Sequence, residues 1–148
     1  MRYARHIVHD LPTTCLRAIC RQHPEQGLDL PGASSVTVYK EPQSLIADPL
    51  VDVVLVVTPP IYSLDICRMA VLARKPLLIE KPLATTAAEA QAMVVLAREA
   101  AVPLMTAQTL RFDHTIQQMK TLRHRLGRSE RLDLISRIEF KPTAPDHA

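Results

Sequence analysis

Residues 51–60 read VDVVLVVTPP. Almost every residue from Val51 to Val57 is apolar, and most are β-branched. A short run of that kind reads as a strand buried on both faces, the pattern of a parallel sheet. It is far too short to span a bilayer. Working outward, TCLRAIC (14–20) and SVTVY (35–39) are strand candidates upstream, and PLLIE (76–80) and VPLMTA (102–107) are candidates downstream. Helical patterns fill the intervals, over residues 4–11, 42–47, 61–73, 86–101 and 113–126. In residues 61–73, Ile61, Leu64, Cys67, Val71 and Leu72 share one side. Residues 86–101 are Ala-rich and open with Thr86-x-x-Glu89, a capping box in which each side chain satisfies a free backbone N–H of the first turn. Gly127 suits the stop of the last helix. LDLISRIEF (132–140) alternates and reads as a further strand, and the tail KPTAPDHA as loose chain. Strands separated by helices in this way predict βαβ units, hence an α/β fold with a mostly parallel sheet flanked by helices.

The totals agree with one domain. The chain has 148 residues, and its 47% hydrophobic content is enough to bury a core. Aromatics are only 3% and Trp is absent, so that core must be built from Val, Leu, Ile, Ala and Met. A net charge of +3 is mild and does not call for nucleic acid or an anionic membrane. The basic cluster RHRLGRSER (123–131) has no aromatic residue for base stacking and reads as a solvated helix end. Three cysteines, Cys15, Cys20 and Cys67, form no metal-binding pattern, so no metal is expected. Their odd number fits a reduced protein, and the N-terminus lacks the apolar core of a signal peptide. The expected location is the cytoplasm.

In open parallel sheets, ligands sit beyond the carboxyl ends of the strands. Three such ends carry polar or conformationally fixed residues. Thr58-Pro59-Pro60 follows Val57, Glu80-Lys81-Pro82 follows Ile79, and Thr106-Ala107-Gln108 leads on to Leu110-Arg111-Phe112. A proline disfavours the helical region for the residue before it, so Lys81 is expected to be extended. The Lys81–Pro82 bond is a candidate for the cis form, which proline alone readily permits. The plainer alternative is an exposed charged pair in a β-to-α loop, with proline as punctuation.

VDVVLVVTPP, EKPLATTAAEA and VPLMTAQTLRFD, in this order and spacing, resemble the nucleotide-binding half of the Gfo/Idh/MocA oxidoreductases. The resemblance runs from about residue 3 to residue 140. It implies a Rossmann-like domain, an NAD or NADP cofactor, and hydride transfer to or from a sugar- or polyol-like hydroxyl. Carried over, Lys81 is the catalytic residue that orients the substrate hydroxyl. Thr58, Pro59, Pro60, Glu80, Lys81, Pro82, Gln108 and Arg111 are the cofactor-binding candidates. An ammonium at a strand end can donate to an oxygen whose charge changes during the reaction.

The chain departs from that family in four places. Its only glycines are Gly27, Gly32 and Gly127, so it has no G-x-G-x-x-G phosphate loop. Laid on the family, Met1 falls just after that loop, and the first strand is missing with it. Arg21, rather than an acid, follows the second family strand, which is compatible with a 2′-phosphate or with a solvated loop. Ser63 stands where many members have histidine. The large sheet domain that supplies the substrate pocket is represented by LDLISRIEF at most. The expected organisation is an incomplete nucleotide-binding domain over residues 1–131, and the start of a missing sheet domain, or a tail, over 132–148. The isolated chain is then expected not to turn over. The rival expectation is a non-catalytic binding or partner subunit that has lost dinucleotide binding. Its open sheet edge would invite a homo-oligomer or another chain.

Overall fold

The computed structural model describes residues 2–26, 30–31 and 35–126. It divides into two compact units, Met1–Gln108 and Thr109–Ala148. The first unit opens with helix α1 (Arg2–His9). Strands β1 (Ala18–Cys20) and β2 (Thr37–Tyr39) follow and pair in parallel. Helix α2 (Pro42–Ala47) leads to β3 (Val54–Val56), helix α3 (Ser63–Leu72), β4 (Leu77–Ile79), helix α4 (Ala87–Glu99) and β5 (Leu104–Thr106). These last three strands form a second parallel sheet in the order β3-β4-β5. The second unit holds a 3-10 turn, Thr109–Phe112, and helix α5 (His114–Leu126). There Asp113 caps α5, its Oδ1 accepting the N–H of Ile116 at 3.1 Å. Gly127 and the LDLISRIEF stretch lie outside the described residues.

Each predicted strand and helix of the first unit is present, but the strands are shorter and the burial is one-sided. Val54 and Val56 point inward, as do Leu77 and Ile79 beside them. On the opposite face Leu55 and Leu78 are half-buried, and Met105 is exposed. Val53 and Val57 are 58% and 57% exposed, so the 51–57 run is not buried on both faces as its composition suggests. An apolar run cannot report which of its faces a helix will cover. Upstream of β3, the Val51 N–H already turns back to the Asp48 carbonyl at 3.1 Å.

Helix α3 shows a similar shift. Its buried residues are Ser63, Ile66, Cys67, Ala70 and Val71, spaced by three and four. Cys67 and Val71 belong to that face as predicted, but Ile61 and Leu72 are exposed, at 67% and 83%. Ile61 precedes the helix in a 3-10 turn, Pro60–Tyr62, whose tighter winding takes it off the α-helical stripe. The buried side of α3 joins Met93 and Ala97 of α4 and the inward residues of β3 and β4 in one aliphatic core, with no aromatic member among the described residues.

Asp48 ties the two sheets together. Its carboxylate is buried and accepts the Leu50 N–H at 2.9 Å and the Tyr39 hydroxyl at 3.2 Å. Arg17, at the start of β1, brings its Nε to 3.6 Å of the same carboxylate. Lys75, at the start of β4, donates to the Asp48 carbonyl. The Leu50 N–H foremost, then the Tyr39 hydroxyl and the two cations, hold the Asp48 carboxyl below its ordinary pKa against the opposing effect of burial.

The scarcity of glycine leaves a mark at the helix ends. Both α3 and α4 finish in Schellman motifs. Lys75 N–H reaches the Ala70 carbonyl and Arg74 N–H that of Val71; Val102 N–H reaches Ala97 and Ala101 N–H reaches Arg98. The left-handed residue is Arg74 (φ 58°) in one and Ala101 (φ 54°) in the other. A Cβ in that region costs about 1 kcal/mol, which glycine avoids. Arg74 is offset by its guanidinium, which caps the Ala100 carbonyl at 2.7 Å. Ala101 has no such offset. Ala101→Gly is therefore expected to raise stability by about 0.5–1 kcal/mol in thermal or urea unfolding, even though glycine loosens the unfolded chain.

Candidate functional site at the strand ends

The register of the three-stranded sheet sets Val56, Ile79 and Thr106 side by side. The chain therefore leaves the sheet at neighbouring points: Thr58-Pro59-Pro60 after β3, Glu80-Lys81-Pro82 after β4, and Ala107-Gln108 after β5. The ladder continues one residue past β4 and β5. Glu80 N–H reaches the Val56 carbonyl at 2.9 Å, and Ala107 N–H reaches that of Ile79 at 2.8 Å. Glu80 is thus the last sheet-bonded residue of β4 and Lys81 the first one released. The Lys81–Pro82 peptide bond is cis. Thr58 and Pro59 are exposed, and Pro59 accepts the Tyr62 N–H at 3.1 Å as the chain winds into the 3-10 turn ahead of α3.

Glu80 and Lys81 do not pair through their side chains. The Glu80 carboxylate accepts the Tyr3 hydroxyl on Oε1 at 2.6 Å and the Lys81 backbone N–H on Oε2 at 2.8 Å. The Tyr3 hydrogen bond, then that of Lys81 N–H, holds the Glu80 carboxyl below its ordinary pKa. The same contact with Glu80 raises the Tyr3 phenol. Among the described residues the Lys81 ammonium makes no hydrogen bond or ion pair, and the residue is exposed. The result is a fixed carboxylate beside an unpartnered cation at the end of the central strand.

The remaining candidates are placed as follows. Gln108, exposed, ends the first unit and donates its N–H to the Thr106 carbonyl at 2.8 Å. Arg111 belongs to the second unit, exposed in the 3-10 turn, with its carbonyl accepting from the Gln117 side chain. Ser63 is 1% exposed at the head of α3. Arg21 continues the β1 ladder, its N–H reaching the Tyr39 carbonyl at 3.0 Å. Tyr3 was not a site candidate in the sequence. It sits 77 residues from Glu80 on a helix with no buried residue, and no local pattern marks it. Among the described residues no helix is long and apolar enough to cross a membrane.

Glu80 also makes stability depend on pH. Its folded pKa is lowered, so its contribution is present above the ordinary glutamate pKa, about 4.3, and is lost as pH falls through the lowered folded value. Glu89 of the α4 capping box, held chiefly by the Thr85 hydroxyl, acts in the same direction. Urea unfolding of Glu80→Gln is expected to show a shallower loss of stability between about pH 5 and pH 3 than the parent, with part of the fall surviving through Glu89. An equal fall in both proteins would contradict the contact.

A family model described as an oxidoreductase family with an NAD-binding Rossmann fold, that of Gfo/Idh/MocA, matches residues 1–108. Myo-inositol 2-dehydrogenase from Thermotoga maritima is 34% identical over 82 residues, which is 55% of this chain and 25% of that protein. Among solved structures, an oxidoreductase candidate from Magnetospirillum magnetotacticum MS-1 aligns with a TM-score of 0.72 and 28% identity, over 82% of this chain and 39% of the other. Scyllo-inositol dehydrogenase from Lactobacillus casei aligns with a TM-score of 0.69 at 17% identity, over 81% of this chain and 36% of the other, a likeness of fold alone. The chain thus spans between a quarter and two fifths of the length of these relatives.

Proposed function

Because this chain belongs to the Gfo/Idh/MocA oxidoreductase family, we propose that it holds the nicotinamide side of an NAD(P) cofactor for hydride transfer at a sugar- or polyol-like hydroxyl. Residues 1–131 form the nucleotide-binding part in this reading, and 132–148 begin a following sheet domain or a tail. The observation that carries it is the strand-end arrangement: an exposed, unpartnered Lys81 ammonium beside a Glu80 carboxylate already committed to Tyr3 and the Lys81 N–H. The name of the Thermotoga relative supports a polyol as the substrate class.

The residues present fit one end of such a cofactor. Lys81 and Thr58 are exposed polar side chains on neighbouring turns, and Pro59 and Pro60 give the β3 turn a fixed wall. Residues 1–148 contain no G-x-G-x-x-G, so no residue is assigned here to the pyrophosphate. A bound nicotinamide would supply the hydride donor or acceptor. Lys81 Nζ would hydrogen-bond the substrate oxygen on the reacting carbon and steady the charge that changes there. Pairing of Lys81 Nζ with Glu80 would weaken that role. The Tyr3 and Lys81 N–H contacts keep the carboxylate otherwise engaged.

Calorimetric titration of the 148-residue chain with NADH and NADPH tests the reading. Micromolar binding is expected, with Lys81→Met weakening it about three- to tenfold, the effect of one lost polar contact. The stronger nucleotide distinguishes NAD from NADP. No heat with either would overturn the reading for this chain. It would favour the alternative, a binding or partner subunit of the same fold.

A further inference from the structure

We infer that Tyr3 is the positioning residue of the strand-end site: its hydroxyl locks the Glu80 carboxylate against the Lys81 main chain, and so keeps that carboxylate from pairing with the Lys81 ammonium. The benefit to a nucleotide rests on the reading above; the contact itself does not.

Glu80 is fixed by the sheet only through its backbone, the N–H bonded to Val56 at 2.9 Å. Its side chain lies at a strand tip, partly open to water, with a lysine as the next residue. Left to itself, such a carboxylate would exchange between water and the ammonium, and the lysine would follow it. Two contacts prevent this. Oε2 takes the Lys81 N–H at 2.8 Å, which ties the carboxylate to the first residue beyond the ladder. That contact alone leaves Oε1 free to rotate out. The Tyr3 hydroxyl closes on Oε1 at 2.6 Å, from a helix 77 residues away in sequence. With both oxygens engaged from different directions, the carboxyl plane has one orientation.

A tyrosine suits this task. Its ring is rigid, so the hydroxyl is delivered at fixed reach with little loss of rotamer freedom, and it stays a donor throughout the neutral range. The charged groups around Glu80 are Arg2 on α1 and Lys81 beside it, both favouring the ionised carboxylate. The lowered Glu80 and the raised Tyr3 are the two sides expected of one hydrogen bond between a phenol and a carboxylate. The bond also gives α1, which has no buried residue, a polar attachment to the end of β4. A shift of α1 would therefore be felt first at Glu80, and through its second carboxylate oxygen at the Lys81 N–H.

The test is a residue-resolved NMR titration of the Glu80 carboxyl in the parent chain and in Tyr3→Phe, with the Lys81 amide followed alongside. Tyr3→Phe keeps the ring and removes the donor. Its Glu80 carboxyl is expected to titrate higher, toward the ordinary glutamate value, and its Lys81 amide to shift. NADH affinity is expected to fall about three- to tenfold, the weight of one hydrogen bond. An unchanged Glu80 titration in a folded Tyr3→Phe overturns the proposal, whatever the nucleotide does. If NADH fails to bind the parent while Glu80 moves as expected, the positioning contact stands and the nucleotide reading alone falls. Should Tyr3→Phe not fold, Glu80→Gln supplies the reciprocal measurement. The Tyr3 phenol must then titrate lower than in the parent, and an unmoved phenol overturns the proposal as well.

Discussion

Main-chain hydrogen bonding along both edges of β4 is the constraint on which the first unit depends. On one side Val54 N–H reaches the Pro76 carbonyl and Glu80 N–H reaches that of Val56. On the other, Leu77 N–H reaches Pro103 and Ala107 N–H reaches Ile79. A strand bonded on both edges has no freedom to slip, because a one-residue shift would turn Leu77 and Ile79 outward. Those two side chains are 3% and 1% exposed, so slippage would forfeit the centre of the core. The place where β4 must stop is therefore set by packing rather than by the residues that follow it. Glu80 falls at that stop, and the lysine next to it is the first group released toward solvent.

The same rigidity makes the link between the two sheets matter. Asp48 joins the start of β1, the end of β2 and the start of β4 through a single buried carboxylate and its own carbonyl. A buried carboxylate is tolerated only when its oxygens are satisfied, and here a backbone N–H and a phenol do so, with a guanidinium nearby. Arg17 fares less well. Its Nε is buried at 3.6 Å from the carboxylate and makes no hydrogen bond, so it acts by charge. A buried polar cluster thereby links β1, β2 and β4, while the Lys81 ammonium makes no such contact among the described residues.

Glycine scarcity links composition to backbone. With three glycines in the chain, the left-handed positions that close α3 and α4 fall to arginine and alanine. Arginine repays its place by capping the neighbouring helix. The two helix ends show how one motif, set by hydrogen-bond geometry, can be filled by residues of unequal fitness when the pattern of main-chain bonds is retained.

The order of elements was legible in the sequence. Apolar β-branched runs, helical spacing and the Thr86–Glu89 capping box are local signals, and each marked an element of the expected type, though β3 is shorter and the buried stripe of α3 is shifted. The strand-end positions of Thr58, Glu80, Lys81 and Gln108 followed from them, because a parallel sheet aligns its carboxyl ends. Burial by face did not follow: Val53, Val57, Ile61 and Leu72 are apolar yet exposed, since periodicity says which residues share a side and not what covers it. The partner of Glu80 did not follow either. By sequence its natural mate is Lys81, the adjacent opposite charge. Only the tertiary structure brings Tyr3 of α1 to that carboxylate and leaves the lysine unpaired. The physical reason is range. Propensity, capping and alternation act over a few residues and are written in the order of the chain. A hydrogen bond between residues 3 and 80 exists only once the helix and the strand have been docked by everything between them.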